Sequence, residues 1–325
     1  MGFIARHRLG WSLALFALAL AALATVPSFP ALPFYFDQAL QRVLLSALVC
    51  GLMALLGGAR ALAPATTGLR SALRLGAYPV AVAAVLLAVE LTGLLQLAAG
   101  STPGSAWLAL PADWAVDLAG MAALCAFVGV FEEVLFRGVL LGGLLSRFGG
   151  TRNGVVVAAL VSSVVFGAVH VVSSAGATDA LTLAQMLLKT VQAGSIGLIF
   201  AAVYVRTRNI WGVAALHALA DFLLMAPLAL VGGGEAALGS YVSQGADALS
   251  VALGVALVAA YLFAVALYAP CAVQGWRLLE GSPLPSLGPL EPGWDPQEDA
   301  GEKNGAPVAP DGVRAPGGPV PPDGL

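Results

Sequence analysis

Three short segments hold most of the chemistry-bearing residues of this chain. The first reads Phe131-Glu132-Glu133-Val134-Leu135-Phe136-Arg137, the second Phe166-Gly167-Ala168-Val169-His170 and the third His217-Ala218-Leu219-Ala220-Asp221. Two of the chain's three histidines lie in them, and the third, His7, sits in the basic N-terminus. A carboxylate and an imidazole in a dry cavity form a general base able to take a proton from water. A glutamate and two histidines are also a full ligand set for catalytic zinc, with one position left for water. Both chemistries are open here, with Glu132, His170 and His217 as the ligands if zinc is used; the cofactor is therefore either none or a zinc ion.

Helical spacing gives each segment a local geometry. Glu133 and Arg137 are four residues apart, so they stack on one face and can pair. Glu132 is rotated from Glu133 by about 100° and points elsewhere, free to take another partner. His217 and Asp221 are also four apart, so the carboxylate can orient the imidazole. Phe166 lies one turn below His170 and can wall off that site.

The elements that must position these residues are membrane helices. The chain has 325 residues, 59% hydrophobic and only 10% charged. A soluble domain needs roughly 25% charged residues to solvate its surface. The composition excludes a water-facing globule, disorder, collagen and a disulfide scaffold for the bulk of the chain. It predicts an all-α, polytopic membrane helix bundle of about eight transmembrane helices. The apolar stretches lie near 10–29, 40–58, 77–99, 115–146, 154–173, 181–205, 210–231 and 249–272. The fourth is too long for one straight span, and its start is expected along the interface. The first contains Ala22-Leu23-Ala24, as a signal peptide would, but is read as a retained span. All three chemical segments fall inside spans, where a charge costs at least about 2.5–3.5 kcal/mol and so requires a reason. Counted from the flanking arginines, Glu132, His170 and the His217–Asp221 pair lie roughly 14–27 Å deep, depths that overlap near the middle of the bilayer.

Lys and Arg alternate between loops: Arg6 and Arg8, then Arg60, Arg70 and Arg74, then Arg147 and Arg152, then Arg206 and Arg208, then Arg277, Lys303 and Arg314. This bias predicts a multi-pass protein of the cell membrane with both termini cytoplasmic. Arg42 alone breaks the alternation. The domain reading is N-terminal helices over 1–114, a core over 115–231, a last helix region over 232–280 and a disordered acidic Pro/Gly-rich cytoplasmic tail over 281–325 with almost nothing to bury. Cys50, Cys125 and Cys271 are read as apolar packing residues. Lys189 shares a polar stripe with Gln185 and Gln192, and its depth matches that of Glu90, so the two are expected to pair. No Gly-rich phosphate loop and no basic aromatic surface point to nucleic acid.

The three segments resemble the EExxxR, FxxxH and His-x-x-x-Asn/Asp motifs of the CAAX protease and bacteriocin-processing enzymes, also called the Abi or CPBP intramembrane proteases. Order and spacing also match, over about 115–231. The resemblance implies an intramembrane endopeptidase acting on peptide or protein substrates within or at the bilayer, CAAX-type or peptide-processing. It implies that Glu132 and His170 activate water, that His217 and Asp221 stabilise the oxyanion, and that Glu133 and Arg137 hold the site together. Asp221 stands where the CAAX-type branch usually has Asn. The competing readings are a catalytically silent membrane scaffold or immunity protein and a small transporter using Glu132, Glu133 and Lys189 as a relay. The spare acid Glu132 favours the enzyme, since scaffolding gains nothing from it. The absence of repeats and of broken half-helices disfavours the transporter.

Overall fold

The computed structural model describes residues 2–100, 112–231, 233–239, 241–282, 288–291 and 294, and among these no strand occurs. Eight apolar helices follow in order: α1 (Arg8–Leu23), α2 (Phe34–Leu55), α3 (Ala77–Gly100), α4 (Trp114–Phe148), α5 (Arg152–Val169), α6 (Ala180–Thr207), α7 (Ile210–Met225) and α8 (Ala248–Gly281). Seven are long and apolar enough to cross a membrane. The exception is α1, whose 16 residues fall short of the roughly 20 that a span requires. The expected stretch to residue 29 stops at Leu23 because Pro27, Pro30 and Pro33 follow within ten residues and cannot continue a helix.

Polar residues between the apolar runs start the helices. Thr151, Asp179, Asn209 and Asp247 each cap a helix by accepting from a backbone N–H in its first turn. Asn209 also donates to the carbonyls of Ala65 and Thr67, at 2.8 and 3.0 Å. The link from α6 to α7 is therefore tied to the loop before α3. In the bundle α6 packs between α5 and α8, while α4 packs between α2 and α7. Small residues allow the two crossings that matter most for the site. A Cβ on Gly129 of α4 would lie 2.6 Å from the Ala214 carbonyl of α7. A Cβ on Gly167 of α5 would lie 2.2 Å from the Thr190 carbonyl of α6. Neither approach tolerates a side chain, so these glycines set how closely α4 meets α7 and α5 meets α6.

Beyond α8 the expectation of almost nothing to bury fails over Gly288–Leu290 and at Trp294. Leu290 and Trp294 are fully buried. Leu290 sits over Gly57, Gly58 and Gly142, in the space their missing side chains leave. Trp294 lies 6.0 Å from the Tyr204 ring, with the Arg208 guanidinium 4.8 Å above it. Single apolar residues spaced among Pro and Gly form no periodic pattern, so only their receiving surface reveals them. The predicted disorder and cytoplasmic placement of residues 295–325 concern a segment outside the described residues, as does the proposed interfacial start of the fourth stretch up to Pro111.

Candidate active site

α4 changes its winding at the motif. It is α-helical through Glu133, π-helical over Val134–Leu141 and α-helical again from Gly142. Such π turns are uncommon and concentrate at functional sites. Every residue of this one is buried. At its entrance stand Glu132 and Glu133. Glu133 pairs with Arg137 as the spacing predicts, Oε2 to Nε at 3.0 Å, and both side chains are sealed from solvent. Arg137 also donates to the Gly197 carbonyl at 3.2 Å and lies over the Phe166 ring at 4.6 Å. One guanidinium thereby ties α4 to α5 and α6.

The close crossing at Gly129 carries His217 of α7 onto the two glutamates. Its Nδ1–H donates to Glu133 Oε1 at 2.7 Å. Its Nε2 lies 3.3 Å from Asp221 Oδ2 and 3.7 Å from Glu132 Oε2. Glu132 was expected to point away from Glu133 toward an independent partner. Instead the two carboxylates approach opposite nitrogens of one imidazole. Their surroundings differ sharply: Glu133 is 0% exposed, whereas Glu132 keeps 22% and Asp221 20%. Glu132 Oε2 makes no hydrogen bond with the protein. The sealed acid is thus committed to structure, whereas the partly exposed one has an oxygen without a hydrogen-bond partner.

Across the site, His170 ends α5. Its Nδ1 is 2.8 Å from the Phe166 carbonyl. A carbonyl accepts, so Nδ1 carries the proton and Nε2 is the nitrogen left for chemistry. Phe166 packs against His170, His217 and Phe136 with ring centroids 5.0–5.8 Å apart, which makes it the wall predicted from the spacing. Glu132, Phe166, His170, His217 and Asp221 all line one cavity of about 330 Å³. That volume is at the small end of ligand pockets and suits a short peptide stretch rather than a folded chain. Glu133 and Arg137 stand behind it.

The zinc alternative can be tested on the donor geometry. Among the described residues no three His, Cys, Asp or Glu side chains form a group that could hold a metal ion. Glu133 accepts from one nitrogen of His217, and the other faces Asp221 and Glu132 at 3.3 and 3.7 Å. As placed, Glu132, His170 and His217 are not gathered into such a group.

The cavity also contains residues that the motif reading did not assign to it. Arg42 of α2 lines it, and its break in the charge alternation was the available signal. Tyr241, from the loop before α8, lies 5.6 Å from the His170 ring and had no sequence signal at all. Phe200 of α6 packs 5.6 Å from His217. The expected Glu90–Lys189 pair does not form among the described residues. Glu90 is exposed on α3, while Lys189 lines the cavity. Matching depth cannot fix rotation about a helix axis, and here the two side chains face different surroundings.

Residues 113–223 match the family model described as type II CAAX prenyl endopeptidase Rce1-like, a stretch that contains all three motifs. No curated protein and no solved structure matches the chain.

Proposed function

We propose that the chain is a membrane protease of the type II CAAX prenyl endopeptidase Rce1-like kind, whose family model residues 113–223 match, and that its mechanism is metal-free. Its substrates are membrane-tethered peptides of the CAAX type, and its nucleophile is a water activated by Glu132. The observation that carries this is that the partly exposed Glu132 side chain, whose Oε2 makes no hydrogen bond, lines the same cavity as His170, whose Nε2 is the available nitrogen. Glu132 takes a proton from water while His170 Nε2 orients it. The hydroxide adds to the scissile carbonyl carbon. The charge that develops on the carbonyl oxygen is met by His217 in its imidazolium form, through Nε2–H. Asp221 as a carboxylate has no hydrogen to give; 3.3 Å from that Nε2, its part is to stabilise the imidazolium charge, and the imidazole is the donor. Collapse of the adduct breaks the C–N bond, and Glu132 returns the proton to the departing amine.

Purified full-length protein is expected to cleave prenylated CAAX-type peptides, and to do so in the presence of a chelator. Failure to cleave any such peptide rejects the activity. Loss of cleavage with chelator, restored by zinc, rejects the metal-free form and keeps the protease.

The same reading places the C-terminus, after α8, in the cytoplasm of a multi-pass cell-membrane protein, supported by the alternation of basic loops; with seven spans the N-terminus falls on the opposite side, and the expected cytoplasmic N-terminus requires α1 to cross as well. Reporter fusions after Arg277 should then read cytoplasmic and fusions near Glu235 external. An external reading after Arg277 overturns that orientation.

A further inference from the structure

Two cations that line the cavity, Arg42 and Lys189, have no part in the chemistry above. Lys189 stands on α6 and its Nζ donates to Gln192 Oε1 at 3.1 Å, with the Tyr241 ring 4.4 Å below. Among the described residues no carboxylate forms an ion pair with it. The acids that share the cavity, Glu132 and Asp221, both lie toward His217, and Glu133 is committed to Arg137. An ammonium at membrane depth is costly and ordinarily finds a counter-charge. Here its direct partners are an amide oxygen and an aromatic face, while Asp221 and Glu132 act on it only across the cavity without an ion pair, a setting with room for an anion arriving from outside. The anion that an unmodified peptide end always carries is its C-terminal carboxylate.

The surroundings of Lys189 are built rather than incidental. Gln185, one turn earlier on α6, is fully buried; its side chain accepts from the Ser243 N–H at 2.8 Å and donates to the Ser243 carbonyl at 3.3 Å. The Tyr241 carbonyl accepts from the Tyr261 hydroxyl at 2.7 Å. Both ends of this loop segment are thereby tied down, and the Tyr241 ring is held between His170 and Lys189. The two steps, 5.6 Å from the His170 ring to the Tyr241 ring and 4.4 Å on to Nζ, bound the reach from the reacting groups to the ammonium. An extended chain advances about 3.3–3.6 Å per residue, so that reach holds no more than about three residues.

We propose that Lys189 binds the free C-terminal carboxylate of the substrate against Tyr241. This rests on the endopeptidase reading of the same cavity. Lys189 is then a specificity residue, distinct from the groups that act on the scissile bond.

The test compares two prenylated CAAX-type peptides of one sequence, one ending in the free acid and one in the C-terminal amide. With wild-type protein, kcat/KM for the acid should exceed that for the amide by about tenfold or more, the scale of one charge-assisted hydrogen bond. Lys189→Gln should bring the ratio close to one, and Lys189→Arg should keep it high. Equal cleavage of acid and amide by the wild type overturns the proposal. So does a Lys189→Gln protein that loses both activities alike with the ratio intact, as a structural or oxyanion role would require. If Lys189→Gln does not fold, Lys189→Met supplies a neutral side chain suited to the same apolar channel. Binding of the two labelled peptides to Glu132→Gln protein, by fluorescence anisotropy, separates this site from the activity. Preference for the acid that vanishes with Lys189→Gln supports the carboxylate site even if the wild type cleaves neither peptide, a result that would reject the endopeptidase alone. No preference in binding rejects the site.

Discussion

Glu132→Gln protein is expected to insert and fold like the wild type and to lose about 10²–10⁴ in single-turnover cleavage, the range that a general base supplies. The substitution keeps size and shape, and Glu132 carries no hydrogen bond whose loss would loosen the bundle; its nearest polar neighbour, His217 Nε2, is 3.7 Å away. His170→Ala should be comparably inactive. Because the two groups act on one water, the double variant should be hardly slower than either single one. His217→Ala is different. Loss of one oxyanion donor typically costs about 10²–10³ in rate. Yet His217 is also the hydrogen-bond partner of the sealed Glu133, so this variant should lose stability as well as rate. The readout is cleavage by folded protein, with thermal unfolding measured alongside. Full cleavage by a folded Glu132→Gln protein would falsify the mechanism.

Glu133→Gln and Arg137→Gln should each destabilise the protein by about 3–5 kcal/mol, because each leaves a charge uncompensated in the bundle interior. Arg137 is 1% exposed and Glu133 0%. Water cannot rescue either partner at that depth. Exchanging both for apolar residues of similar volume, Glu133→Leu with Arg137→Met, should recover much of the lost stability, since a buried pair is often replaceable by good packing. It should not recover activity, because His217 Nδ1 then has no acceptor and the imidazole is no longer held toward the cavity. Unfolding of the two single variants and the double in detergent, each beside its cleavage rate, checks this. Additive losses would show that the pair is not a coupled unit, and a cleaving double variant would show that Glu133 does not position His217.

The site divides along the line between local and non-local geometry. A helix repeats every 3.6 residues whatever its surroundings, so contacts four residues apart are legible in the chain alone. Glu133 with Arg137, His217 with Asp221 and Phe166 beneath His170 all form as that spacing requires. The apolar runs likewise mark the spans, because a bilayer admits little else, and the capping residues Thr151, Asp179, Asn209 and Asp247 mark where four of them begin.

Contacts between helices depend on crossing distance and rotation, which residue spacing within one helix does not encode. Glu132 lies 100° away from Glu133 on an ideal helix, yet both reach His217, because Gly129 lets α7 press against α4 where the helix shifts into its π turn. Glu90 and Lys189 share a depth but not a direction. Tyr241 enters the cavity only because Gln185 holds its loop down, and Trp294 is buried only because Tyr204 and Arg208 offer it a surface. Each of these placements needs two segments distant in the chain to meet, and the energy that selects them appears only once the helices have packed.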